Sequence, residues 1–91
     1  MNKRELLNAV ADRAGMAQKN VKGIVEATFD VIAEALVNGE QVKVQEFGTF
    51  LTMQSKARNH RNMFTGEEFM VPEKRYPKFR ASKVLKERVE D

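Results

Sequence analysis

The stretch Lys56-Ala57-Arg58-Asn59-His60-Arg61-Asn62-Met63-Phe64-Thr65-Gly66 sits inside a longer span, Phe47 to Tyr76, whose reading decides the fold. It is basic, rich in turn formers and nearly free of core residues, so it cannot bury enough apolar surface to stand as a globular segment. Strand-like sequence flanks it on both sides. The pattern predicts a long β-hairpin held out into solvent, with its turn over Asn59 to Gly66 and its return strand over Glu67-Glu68-Phe69-Met70-Val71.

Working outward, Val42, Val44, Phe47 and Phe50 alternate with polar neighbours, and Gly48 permits a tight connection between two strands. The second strand runs on through Leu51 and Met53 and turns basic beyond Gln54. Pro72 and Pro77 punctuate the return, since neither can donate to a central ladder. Tyr76 and Phe79 bring a strand back to the body, and Ser82 caps a last helix, Lys83 to Glu90, with Val84, Leu85 and Val89 facing inward. Upstream the period is helical. Asn2 and Glu5 have capping-box spacing, and Leu6, Leu7, Val10, Ala11 and Ala14 mark a helix over residues 3 to 14 that Gly15 ends. A second helix carries Val21, Ile24, Val25, Thr28, Phe29, Val31, Ile32, Ala35 and Leu36 until Asn38-Gly39 stops it, with no Ser or Thr cap at Ala17. Its apolar sector is wider than a short first helix can cover, which implies a partner subunit.

Ninety-one residues make one small domain with marginal apolar burial. There is no cysteine to form a disulfide and no Cys/His cluster to hold a metal, so oligomerisation is the remaining source of stability. The start of the chain lacks the apolar run of a signal peptide, and no segment approaches the roughly 20 apolar residues of a membrane span. The expectation is a cytoplasmic protein.

The net charge of +3 is unevenly spread. Residues 1 to 50 hold six Lys/Arg against seven Asp/Glu, whereas residues 51 to 86 hold nine against three. Concentrated positive charge attracts a polyanion, and nucleic acid is the partner this implies.

The motifs Glu46-Phe47-Gly48-Thr49-Phe50, Ala57-Arg58, Arg61-Asn62-x-x-Thr65-Gly66-Glu67 and Pro77-x-Phe79-x-Ala81, with the opening Met1-Asn2-Lys3-x-Glu5-Leu6 and Gly39-Glu40-x-Val42, fit one pattern. The chain closely resembles the bacterial HU/IHF family of histone-like DNA-bending proteins, nearest to HU, over essentially its whole length. The resemblance implies an α+β intertwined dimer. Two N-terminal helices form a helical dimerisation base (residues 1–38), a three-stranded antiparallel sheet (41–81) carries a β-arm (about 54–75), and a C-terminal helix (82–91) follows, all as one domain over 1–91. It further implies a homodimer that binds double-stranded DNA, with distorted DNA or RNA as further partners, through the minor groove and with low sequence specificity. Such a protein bends DNA and organises a nucleoid or phage genome. Two departures stand out: Met63 where such proteins carry an arm-tip proline that kinks the duplex, and Glu46 where they usually carry glycine.

On this reading the arm contacts are Lys56, Arg58, His60, Arg61, Asn62, Met63, Lys74 and Arg75. Arginine suits the negative potential of the minor groove, and Met63 is the intercalating wedge. Lys78, Arg80, Ser82, Lys83 and Lys86 are the saddle and flank contacts to phosphate. Asn62 either bonds base edges or shapes the turn. Phe29, Ile32, Leu36, Phe47, Phe50 and Phe79 form the dimer core, Phe69 stiffens the arm through a cross-strand pair, and Phe64 is a candidate to stack on a sugar or base. No catalytic group, metal site, cofactor or small-molecule substrate is expected: His60 lies on a loop without a nucleophile, and Glu67 and Glu68 point apart. The rival readings are an IHF-like site-specific bender, a monomeric basic RNA-binding protein with an extended hairpin, and a protein–protein adaptor that uses the helical base.

Overall fold

The computed structural model describes residues 1–90 in two compact units, one of residues 1–34 and one beginning at Ala35. In the first, α1 (Lys3–Ala14) starts at Asn2, whose side-chain oxygen accepts from the Glu5 N–H, and ends at Gly15, whose N–H donates to the Ala11 carbonyl. The helix α2 (Gln18–Val37) begins in this unit. With no side-chain cap there, the Ala17 carbonyl takes the N–H groups of both Asn20 and Val21. Leu7 and Ala11, four residues apart, make the buried ridge of α1 and meet Val21, with Val10 and Val25 packed alongside. Leu6 falls to the side of that ridge and is exposed. Lys3 Nζ donates to Glu26 Oε1 at 3.0 Å across the pair. That hydrogen bond, then the Lys3 charge, holds the Glu26 carboxyl below its ordinary value.

The second unit holds two antiparallel ladders. Strands β1 (Val42–Val44), β2 (Gly48–Ser55) and β5 (Lys74–Ala81) form a sheet in the order β1-β2-β5. Pro77 is accommodated because β5 is an edge strand, where a missing donor costs little. Strands β3 (Arg58–Arg61) and β4 (Glu68–Val71) form the arm as a separate two-stranded sheet. The expected hairpin is therefore interrupted at Lys56-Ala57 opposite Pro72-Glu73. Pro72 removes a donor there, but the alignment resumes unshifted, from Ser55 opposite Lys74 to Arg58 opposite Val71. The turn is also shorter than expected. Asn59, His60 and Arg61 belong to β3, because each pairs across the ladder, and only Asn62 to Glu67 turn.

Gly48 opens β2 rather than a loop, and its role is space. A Cβ there would lie 2.6 Å from Phe79 Cε1 and 2.7 Å from the Arg80 carbonyl oxygen. Its missing side chain lets the Phe79 ring reach Phe47 and Phe50, with centroids 5.5 and 5.0 Å away. Beside it, Glu46 is the one non-glycine described residue at positive φ, 64°. It holds the third position of a turn closed by the Phe47 N–H on the Val44 carbonyl, where type II geometry favours glycine.

The helix α3 (Lys83–Val89) is capped by Ser82, whose hydroxyl accepts from the Leu85 N–H. Of the three residues expected to face inward only Leu85 is half-buried, while Val84 and Val89 are 43% and 75% exposed. Val84 and Val89 lie some 140° apart around the helix, too far for one contact to cover both. The last expected residue of that element, Asp91, lies outside the described residues.

Replacing the strained Glu46 by glycine is expected to stabilise the protein by roughly 1 kcal/mol, seen as a higher denaturant midpoint at unchanged slope. A lower midpoint would show that the side chain, not the backbone, governs this turn.

Candidate nucleic-acid interface

Side chains of a strand alternate between faces, so the register of the three-stranded sheet sorts its residues into two sets. Val42, Val44, Phe50, Pro77, Phe79 and Ala81 occupy one face, with Phe47 packed on Phe79. Lys43, Lys74, Lys78 and Arg80 occupy the other, together with Thr49, Leu51, Met53 and Tyr76. One face is apolar and aromatic. The opposite face has no acidic residue in its strands, and around the buried Leu51 its four cations are exposed, a geometry suited to a run of phosphates.

This sorting separates two neighbours that the sequence reading grouped together. Lys74 belongs to the cationic face, but Arg75 pairs with Gln54 on the apolar side, and its Nη2 donates to the Val37 carbonyl at 3.0 Å. The guanidinium serves the last turn of α2, where free carbonyls and the negative end of the helix dipole favour a cation. Lys43, absent from the predicted contacts, joins Arg80 through Thr49 on the cationic face. Its signal was the Val-Lys-Val alternation of β1, legible only once the pairing partner is known.

On the arm, Arg58 and His60 project from one face and Asn59 and Arg61 from the other. His60 is a strand residue rather than a loop residue, and its ring stacks on Phe69 with centroids 5.6 Å apart and planes 17° from parallel. This is the cross-strand pair expected of Phe69. Arg61 stands directly opposite Glu68, which offsets part of its charge. Lys56 is exposed at the interruption between β2 and β3.

The arm tip is a closed hydrogen-bonded loop. Asn62 Oδ1 accepts from the Phe64 N–H at 2.9 Å and the Thr65 N–H at 3.3 Å. The Asn62 N–H donates to the Glu67 carbonyl and the Gly66 N–H to the Asn62 carbonyl, both at 2.8 Å. Gly66 sits at φ 75°, as a hairpin loop of this kind requires. The turn role of Asn62 is thus satisfied by its oxygen. With the loop's N–H groups drawn inward, Met63 and Phe64 stand out, 94% and 100% exposed.

At the sheet's end, Ser82 donates its N–H to the Phe47 carbonyl and uses its hydroxyl oxygen as the α3 cap. Lys83 lies 4.0 Å from Glu87 with its side chain 89% exposed, and Lys86 is also exposed. Of the expected dimer core, Phe29 is 52% exposed in the helical unit, where Ile32 is half-buried. In the sheet unit Phe47 and Phe79 are 46% and 38% exposed, while Phe50 and Leu36 are half-buried.

Known proteins resemble this chain in sequence and in fold. The family model described as Bacterial DNA-binding protein matches residues 1–90. The protein named DNA-binding protein HU from Geobacillus stearothermophilus is 44% identical over 89 residues, 98% of this chain and 99% of its own. DNA-binding protein HU 2 of Bacillus phage SPbeta is also 44% identical over 89 residues, covering 98% of this chain and 97% of its own. Among solved structures, the Anabaena HU-DNA cocrystal structure matches with a TM-score of 0.92 at 38% identity, over 98% of this chain and 97% of that one. HU from Thermotoga maritima matches with a TM-score of 0.69 at 35% identity, over 98% of both chains. The chain therefore belongs to the bacterial DNA-binding protein family that includes the HU proteins.

Proposed function

We propose that the protein is an architectural DNA-binding protein. Two copies associate, lay double-stranded DNA across their cationic sheet faces, grip its minor groove with the arms and bend it with little regard to sequence. The observation that carries this reading is the sorting of Lys43, Lys74, Lys78 and Arg80 onto a single sheet face. Such contacts fix position on the phosphate backbone and read no base, which makes binding tolerant of sequence and sensitive to salt. The relatives named as DNA-binding proteins, and the DNA in the Anabaena cocrystal, support the same conclusion.

Association of two copies is supported by the apolar surface left open. Phe29, Phe47 and Phe79 are each more than a third exposed, and the described residues bury only Leu7, Ala11, Val21 and Leu51 among their apolar side chains. So small a core does not offset the chain entropy of 91 residues, and a second copy would cover the aromatic face. Within this reading Arg58, His60 and Arg61 line the groove along the arm, Lys56 lies at its base, and Lys83 and Lys86 reach flanking phosphates. Met63 enters a base step. Methionine is apolar enough to unstack the step, though its rotamer freedom holds the kink less tightly than a ring would. The site of action that follows is the bacterial nucleoid or a phage genome.

Two measurements test this. Replacing Lys78 and Arg80 together by alanine is expected to lower the slope of log K against log salt by roughly 2, whereas Arg75→Ala leaves the slope unchanged and costs about 1 kcal/mol of stability. Equal slopes for all three proteins would remove the sheet face from the contact. Separately, Met63→Ala is expected to reduce the bend angle measured by fluorescence transfer between duplex ends while affinity for linear DNA falls little. An unchanged angle would exclude Met63 as the wedge.

A further inference from the structure

The chain has no cysteine, so all its sulfur is carried by five methionines. They are not equally open. Met53 is half-buried in β2, Met16 and Met70 are each more covered than Met63, and Met1 begins the helical unit. Met63 stands almost wholly in solvent at the arm tip. The loop beneath it is closed by the N–H groups of Asn62 and Gly66 and by Asn62 Oδ1, which accepts from Phe64 and Thr65. None of these hydrogen bonds uses the Met63 side chain. A chemical change at its sulfur therefore alters what the tip presents and leaves the shape of the loop intact.

We propose that the Met63 thioether is an oxidation-sensitive modification site, at which conversion to the sulfoxide withdraws the wedge and relaxes the bend; the inference rests on the reading above that Met63 enters a base step. The oxygen donor is a hydroperoxide. A lone pair on sulfur attacks the outer peroxide oxygen, and the S–O bond forms as the O–O bond breaks. The proton of the attacked oxygen passes to the departing one, which leaves as an alcohol, or as water from hydrogen peroxide. Sulfur gives up two electrons and the peroxide gains them. The product exchanges a flexible apolar side chain for a polar one. Its oxygen needs hydrogen-bond donors, which water supplies and the interior of a base stack does not, so insertion now carries a desolvation cost. Insertion also shields the sulfur, because a thioether packed between base faces offers peroxide no approach. Protein holding bent DNA is spared, and free protein is modified. The proline that the family resemblance leads one to expect at this position has no sulfur, so the sensitivity belongs to this chain.

The test treats the full-length protein with hydrogen peroxide, follows each methionine by peptide mass spectrometry, and reads bending by fluorescence transfer between the ends of a duplex. Oxidation of Met63 is expected to lower the transfer to the level given by Met63→Ala, and the two stereospecific methionine sulfoxide reductases together to restore it. In Met63→Leu, which keeps an apolar tip without sulfur, treated and untreated protein are expected to give the same transfer. In Met70→Leu the treated protein is expected to lose transfer as the parent does. Saturating duplex is expected to slow oxidation of Met63 about tenfold and that of Met16 little. Full conversion of Met63 with no change in transfer, a loss that persists in Met63→Leu, or equal rates of Met63 oxidation with and without duplex would overturn the proposal. Should Met63→Ala bend DNA as the parent does, the wedge reading falls and the proposal with it. Should Met63→Ala bend less while the sulfoxide bends fully, only the oxidation site is lost.

Discussion

The pairing of β2 with β5 is the constraint on which the rest of this structure depends. Eight successive residues of one strand face eight of the other without a bulge, so the side chains of β5 are dealt strictly in turn to two surfaces. Lys74, Tyr76, Lys78 and Arg80 go to one side, Arg75, Pro77, Phe79 and Ala81 to the other. A slip of one residue would exchange the two sets and destroy both surfaces at once. Gly48 anchors the alignment, since only a residue without Cβ lets the Phe79 ring lie across the start of β2. The aromatic cluster of Phe47, Phe50 and Phe79 and the cationic row behind it are consequences of the same contact.

The protein divides its labour along the chain. The helical unit has a small core of Leu7, Ala11 and Val21 and leaves Phe29 open, which suits association better than independent stability. The arm contributes little burial of its own. It is held by four ladder pairs, one His60–Phe69 stack and the closed loop at Asn62, enough to aim a tip but not to resist deformation. Its separation from the main sheet at Pro72 gives a place where the arm can bend relative to its base without breaking a ladder hydrogen bond.

Much of this was legible in the sequence. The bounds of α1, its Asn2 and Gly15 caps, the end of α2 and the Ser82 cap follow from local hydrogen-bonding chemistry, which sequence states directly. The basic segment and its protrusion follow from composition. Three of the failures share a cause, dependence on a partner strand. Arg75 reads as one more cation beside Lys74 until the register shows it on the other face, and Lys43 reads as incidental until Arg80 is placed near it. Asn59 to Arg61 look like a turn because polar residues mark turns and also mark two-sided solvated strands. The left-handed backbone at Glu46 gives no signal in the residue itself; only the resemblance, with its expected glycine, pointed there. Val84 and Val89 read as inward on apolarity alone, but a seven-residue helix cannot turn both toward one neighbour.

The central claim is that one sheet face, selected by strand alternation, is where DNA lies. It is tested most directly by covalent labelling of lysines, read residue by residue by mass spectrometry, with and without saturating duplex at low salt. The account predicts that Lys43, Lys74 and Lys78 lose reactivity together when duplex is added. Unchanged reactivity at all three, under conditions where the duplex is demonstrably bound, would contradict it.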